Sequence, residues 1–425
     1  MTAPLPLAGG EEQRSREGVG LADLRPRSTR PPPGPLSQAV EGDLALYVHW
    51  PFCVSKCPYC DFNSHVRAQI DQDEWRGALL ADLAHEAQLL PARRLTSIFF
   101  GGGTPSLMDP AIVEAVIGAA SGHWAPADDL EITLEANPNS VEAERFADLA
   151  AAGVDRLSLG LQSFDDEALA FLGRAHSADE GLRALETAQA HFGRVSFDLI
   201  YALPGDTEQR WARTVERALS LGTTHLSLYQ LTIEPGTRFA AMHAAGKLDP
   251  LDADTAASLF ELTDAITSAA GLPAYEISNH AAAGHESRHN LTYWRYNDYA
   301  GVGPGAHGRR LGMRTMRHRK PENFVSALAR NGHGIGEEAA LTSVEAADEA
   351  LVMGLRLREG IDAAALAERF GLPAIVDWTR VDRLVASGHL ERQGSRIALT
   401  AAGRLLLDAI LGEIAAPEAI LAAAS

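Results

Sequence analysis

Cys53-Val-Ser-Lys-Cys57-Pro-Tyr-Cys60 holds every cysteine of the 425-residue chain, three thiols within eight consecutive positions. An odd number of thiols cannot close a paired disulfide framework, and clustering of this kind suits a reduced compartment and one shared ligand role. The CxxxCxxC spacing lets a single loop wrap three thiolates around an iron–sulfur cubane. Three thiolates on a 4Fe-4S cubane leave one iron open, as catalytic metal sites keep one position free of protein, and that iron can take the amino and carboxylate groups of an external ligand. A zinc site is the plain alternative. Zinc loops favour paired CxxC units, and here there is no fourth cysteine.

The cysteine loop follows a strand-like run, Leu44 to Phe52. Five more such runs come after it, at Thr96 to Gly101, Leu130 to Ala136, Arg156 to Gln162, Val195 to Leu203 and His225 to Ile233. Amphipathic stretches near 73–90, 110–121, 141–151, 178–191 and 207–220 separate them, with Pro110 and Asp206-Thr207 as start signals. Short apolar runs alternating with helical periods predict an α/β fold, a partial (β/α)6 barrel of parallel strands. Reactive groups in such barrels collect at the strands' C-terminal ends. Cys53, Gly101-Gly102-Gly103, Glu135, Gln162, Asp198 and Glu234 stand there. We read residues 44–240 as this core and 241–339 as an extension of it. Residues 340–425 turn Ala/Leu-rich with a hairpin-like segment at Leu390 to Leu399, and read as a small helical, winged-helix-like domain.

A formal charge of -19 opposes wrapping of a phosphate backbone, so bulk nucleic-acid binding is not expected, and Asp and Glu balance the arginines of the C-terminal segment. No run approaches the ~20 apolar residues of a membrane span. Residues 1–43 are rich in Pro, Gly, Arg and Ser and read as a disordered arm. An Arg-rich targeting peptide is the other reading, which the prolines of Arg25 to Pro35 oppose by breaking any amphipathic helix. The expected location is cytoplasmic.

Cys53, Cys57 and Cys60, placed after a first strand, match residue for residue the signature of the radical S-adenosylmethionine (SAM) superfamily, which the chain resembles over residues 44 to 240. The resemblance implies that Gly102, Gly103 and Thr104, in Gly101-Gly-Gly-Thr-Pro-Ser106, meet the methionine end of SAM; a tight turn alone would explain the same glycines. Glu135, Gln162, Arg174 and Asp198 follow at comparable strand ends, Arg174 being suited to a carboxylate by its planar fork of donors. Taken singly, each reads equally well as a surface ion pair or a loop cap. Together with Tyr47 they resemble the SAM-contacting set of the anaerobic coproporphyrinogen III oxidase group.

Tyr275-Glu-Ile-Ser-Asn-His280 and His289-Asn290-Leu-Thr-Tyr293-Trp294 gather His, Tyr and Trp beyond the sixth strand. Imidazole ligates haem iron and aromatic faces stack on a macrocycle, although a packed aromatic corner around a satisfied histidine has the same composition. The second segment fits the HNxxYW pattern of the HemW-type haem chaperones at every specified position, and the likeness runs from 44 to about 410, through the glycine-rich Gly301 to Gly308 loop. It implies three ligands: a 4Fe-4S cluster, SAM and haem, the last held by His289, Asn290, Tyr293 and Trp294. It also implies delivery of haem to respiratory apoproteins, contact at a membrane surface and dimer formation linked to cluster binding. The alternative is an oxygen-independent coproporphyrinogen III oxidase, an enzyme that decarboxylates propionate side chains. The SAM set supports that alternative; Phe62, standing where those oxidases carry a further Cys, and the Pro-rich arm speak against it. Sequence leaves open whether the chain is an enzyme.

Overall fold

The computed structural model describes residues 42–67 and 69–416, so the arm expected over 1–43 lies almost wholly outside the described residues. All six expected strands are present: β1 (Asp43–Trp50), β2 (Arg94–Gly102), β3 (Ala125–Ala136), β4 (Arg156–Gln162), β5 (Arg194–Tyr201) and β6 (His225–Gln230). They run parallel and neighbour one another in chain order, Tyr47 opposite Phe99 and Phe99 opposite Thr133. Every residue of β4 is buried, which is why it reads as a continuous apolar run rather than an alternating one. This is the α/β arrangement, a partial (β/α)6 barrel, that the sequence predicts.

β1 stops at Trp50, two residues before the expected end, because Pro51 has no N–H to continue the ladder. The chain then makes a separate short parallel pairing, Phe52–Cys53 with His65–Val66, and the cysteine loop lies between these two pieces. Crossover helices α1 (Gln72–Leu89), α2 (Pro110–His123), α3 (Ser140–Ala143), α4 (Phe146–Ala151), α5 (Ala178–His191) and α6 (Glu208–Ser220) follow the expected order. Their starts are capped by Asp71, Asp109, Asn139, Ser177 and Thr207, each accepting from a first-turn N–H, except that α4 lacks a side-chain cap. The single helix expected over 141–151 is broken into α3 and α4 where Arg145 turns its guanidinium to the carbonyls of Ser106 and Met108.

Beyond the sixth strand the structure departs from the sequence reading, which placed no strands between 241 and 339. Among the described residues the sheet has eleven strands. β7 (Asn279–Ala281) pairs antiparallel with β6, and β8 (Tyr299–Val302) runs parallel along the free side of β1. β9 (His307–Arg310), β10 (Met313–Arg317) and β11 (Ile335–Ala340) then extend that side as an antiparallel ladder. A close approach between Gly301 and His307 allows the turn from β8 to β9: a Cβ at Gly301 would lie 1.9 Å from the His307 carbonyl oxygen.

The main core joins apolar residues of β1–β6 to the inner faces of the helices, with Trp75 of α1 stacked on Phe324 at 6.1 Å. A second apolar cluster, from Ala347 to Ile414, is built around an antiparallel three-stranded sheet of β12 (Ile361–Asp362), β13 (Leu390–Gln393) and β14 (Arg396–Leu399). Among the described residues no helix is long and apolar enough to cross a membrane.

Candidate functional site

Cys53, Cys57 and Cys60 are free thiols on one half-buried loop at the C-terminal mouth of the barrel. Burial pushes the Cys53 and Cys60 thiols up, while neighbouring donors act the other way. The Thr104 hydroxyl lies 3.4 Å from Cys53 Sγ, and Arg174 Nη1 lies 3.6 Å from Cys57 Sγ. Asn137, just past the end of the third strand and given no role in the sequence reading, ties these donors together. Its Nδ2 donates to Thr104 Oγ1 at 3.0 Å and its Oδ1 accepts from Arg174 Nη2 at 2.6 Å. Arg174 Nη2 also donates to the Gly160 carbonyl at 2.8 Å, which leaves its buried Nε without a partner among the described residues.

Gln162 ends β4 in a left-handed conformation, φ 68°, which is costly for a residue with a side chain, and its buried Oε1 also lacks a partner. Unpaired buried polar atoms beside three free thiols and an open loop are what a cluster with a polar co-ligand requires. Among the described residues no three His, Cys, Asp or Glu side chains converge as they would on a single ion; a cubane instead spreads its thiolates over separate irons. The donor set fits the group.

Gly102 has φ +111°, and a Cβ there would lie 2.5 Å from the His49 ring. That ring cannot yield, since His49 Nδ1 bonds the Tyr47 hydroxyl at 3.0 Å and Nε2 bonds the Asn63 carbonyl at 2.9 Å. Gly102→Ala is therefore expected to destabilise the fold by about 1–3 kcal/mol, measured as a lowered thermal midpoint. Gly103 donates to the Trp50 carbonyl at 2.7 Å, which locks the glycine run against β1. The Gly102 amide donates to Glu135 Oε2 at 3.1 Å. Burial and the nearby Asp198 push Glu135 up to about 8; burial carries Asp198 to about 6.

Inside the barrel these residues open onto a cavity of about 610 Å³, within the usual range for a ligand site. Tyr47, Gly102, Glu135 and Asp198 line it, and so do His289, Asn290, Tyr293 and Trp294. The last four come from a short helix, α7 (Arg288–Trp294), capped by Ser287. The chain reverses into that helix because Glu131 of β3, fully buried, accepts the backbone N–H of Arg288 at 2.9 Å and pairs with Arg194 at 2.9 Å.

His289 stacks on Phe99 at 4.9 Å and on Tyr47 at 5.9 Å, and its Nδ1 lies 3.3 Å from the Ser97 hydroxyl. Burial lowers it to about 4, so the ring is neutral near pH 7. Asn290 donates to the Tyr275 hydroxyl at 3.3 Å, and Tyr293 packs on Trp294 at 4.8 Å. The buried Trp294 Nε1 has no partner among the described residues.

The structure thus divides the expected SAM set. Thr104 and Arg174 touch the cysteine loop and Gln162 stands with Arg174 at Gly160, whereas Tyr47, Gly102, Glu135 and Asp198 face the cavity that the HNxxYW residues share. Phe99, Ser97, Glu131 and Asn137 belong to the same assembly and had no signal in the sequence beyond lying on or just after predicted strands. Phe62 is 58% exposed at the cavity rim.

Comparison with known proteins agrees with this geometry. Residues 47–218 match the Radical SAM superfamily and residues 341–406 the HemN C-terminal domain. The chain is 42% identical to the mouse mitochondrial radical S-adenosyl methionine domain-containing protein 1, over 80% of this chain and 79% of that one. It is 36% identical to the Escherichia coli heme chaperone HemW, covering 87% of this chain and 97% of that protein. In fold it is similar to the solved structure of Escherichia coli coproporphyrinogen III oxidase (HemN), a radical SAM enzyme. That superposition has a TM-score of 0.73 at 23% identity, over 87% of this chain and 89% of that one. The chain belongs to the HemW group of the radical SAM superfamily.

Proposed function

We propose that the chain is a haem chaperone: it binds a 4Fe-4S cluster, SAM and haem in one barrel and hands haem to apoproteins. Cys53, Cys57 and Cys60 hold the cluster in this reading, and its open iron supplies a coordination position for SAM. Gly102, Gly103, Thr104, Glu135, Gln162, Arg174, Asp198 and Tyr47 surround that ligand. The raised carboxyls of Glu135 and Asp198 support it, because a bound cation relieves the penalty of ionising both.

The observation that carries the haem reading is His289 held in the cavity wall against the Tyr47 and Phe99 rings, with Nδ1 engaged by Ser97. When Nδ1–H donates to Ser97, the Nε2 lone pair is left for iron. Asn290 braces the helix through Tyr275, and Tyr293 and Trp294 offer aromatic faces. Haem-accepting respiratory apoproteins, a cytoplasmic location, contact at a membrane surface and a homodimer belong to this reading as its consequences.

His289→Ala is expected to weaken haem binding at least about tenfold, with loss of the imidazole-ligated absorption spectrum. Uptake by His289→Ala and Trp294→Ala proteins at the level of the unaltered chain would refute the assignment. Coproporphyrinogen oxidation is not favoured, since the oxidases' additional Cys is replaced by Phe62 and the Escherichia coli relative named above carries the chaperone name. An anaerobic assay with SAM and reductant on the same preparation should show no coproporphyrinogen turnover.

A further inference from the structure

The cavity has two electrically different ends. Its inner wall carries the carboxyls of Glu135, Asp198 and Glu276, all made harder to ionise by burial, around one buried guanidinium, Arg156, whereas its exposed rim carries Arg319 and His307. Asn63 builds that rim from the cysteine side: its Nδ2 donates to the backbone carbonyls of Pro304 and Arg319, each at 2.9 Å. Arg319 lies close enough to His307 and to His49 for its charge to oppose protonation of both rings, an effect second to their burial. Glu337 and Arg314 also face His307, and Asp61 lines the same rim. Among the described residues the Arg319 guanidinium makes no hydrogen bond or ion pair, and it is not tied up with Asp61.

Tyr47 and His49 are alternate residues of β1, and both line the cavity. His289 stacks on Tyr47, deep in the cavity wall, while Arg319 and His307 stand on its exposed rim. An imidazole ligand and a cation are thus set at different depths of one cavity. Carboxylates sent to the inner wall would meet three carboxyl groups around an Arg156 already bonded to the Thr133 and Ser196 hydroxyls; sent to the rim, they would meet a guanidinium that can pair with them while staying partly solvated.

We propose that Arg319, with His307 as a neutral donor beside it, is a carboxylate-binding pair that receives the propionate edge of the macrocycle and so sets which way round it enters the barrel. The proposal rests on the haem reading above and adds the specificity determinant of that site.

The test compares iron protoporphyrin IX with its dimethyl ester, titrated into the full-length, cluster-loaded chain. The unaltered protein should bind the free acid about tenfold more tightly than the ester. Arg319→Ala/His307→Ala should abolish that preference, and Arg319→Lys should retain part of it. Equal binding of acid and ester by the unaltered chain overturns the proposal while leaving the haem reading intact, as does a double variant that keeps the full preference. Failure of the unaltered chain to bind either porphyrin removes the haem reading, and the proposal with it.

Discussion

Serine in place of Cys53, Cys57 and Cys60 is expected to leave a folded chain that takes up no cluster. After anaerobic reconstitution, iron and sulfide should fall from about four of each per chain to background, with loss of the broad visible absorption. The oxygen of serine is a poor ligand for these irons compared with a thiolate, and a loop that supplies three ligands has none in reserve. Single substitutions should be nearly as severe, because Thr104 and Arg174 brace the sulfurs without being able to replace them. Secondary structure should persist: the three side chains lie on a half-buried loop outside the main core, Cys57 and Cys60 at the rim of a small apolar cluster. A triple variant that still binds cubane in full proportion would dismantle the site assignment.

Glu131→Ala should destabilise the fold by about 3–5 kcal/mol. The carboxylate is fully buried, and it faces Arg194 as well as the backbone N–H groups of Arg288 and His289. Removing it leaves a largely buried guanidinium with only the more distant Asp155, at 3.6 Å, and frees the start of the helix that carries His289. Burial alone would raise Glu131, but Arg194, Arg156 and the His289 amide outweigh it and hold the carboxyl below its ordinary range. A depressed folded value means that this stabilisation is complete above about pH 4.5 and is lost as pH falls through the folded value. Chemical denaturation midpoints across that acid range should decline more shallowly for Glu131→Gln than for the unaltered chain. Haem uptake by Glu131→Ala should fall along with His289→Ala, through misplacement of the ring.

What could be read from the sequence was local. Cys53 to Cys60 declare themselves because all three ligands lie on one loop, and His289 to Trp294 because one short helix carries the whole set. Six barrel strands were legible because parallel strands covered on both sides become uninterrupted apolar runs, as β4 shows. The strands from 299 to 340 were hidden by their composition: Gly301, Gly303 and Gly305 read as loop, and Arg310 and Arg317 are of a residue type seldom buried. In the fold those two arginines are buried against Asp82 and Glu86 of α1, more than two hundred residues earlier in the chain. The same distance hid Ser97, whose one contact with His289 gives it meaning. Nothing in a linear reading marks a residue whose role exists only after such pairing.

β8 also changes what happens to the protein before its iron arrives. Were β1 the last strand, its backbone donors and acceptors beside the cysteine loop would be open to any other unfinished chain. With β8 laid along it, the boundary moves outward to β11, where Glu337 and Glu338 stand exposed, and at the opposite side to a strand of only three residues. A newly made chain can therefore wait for metal with its most vulnerable strand already zipped on both sides and like charges guarding the outer rim.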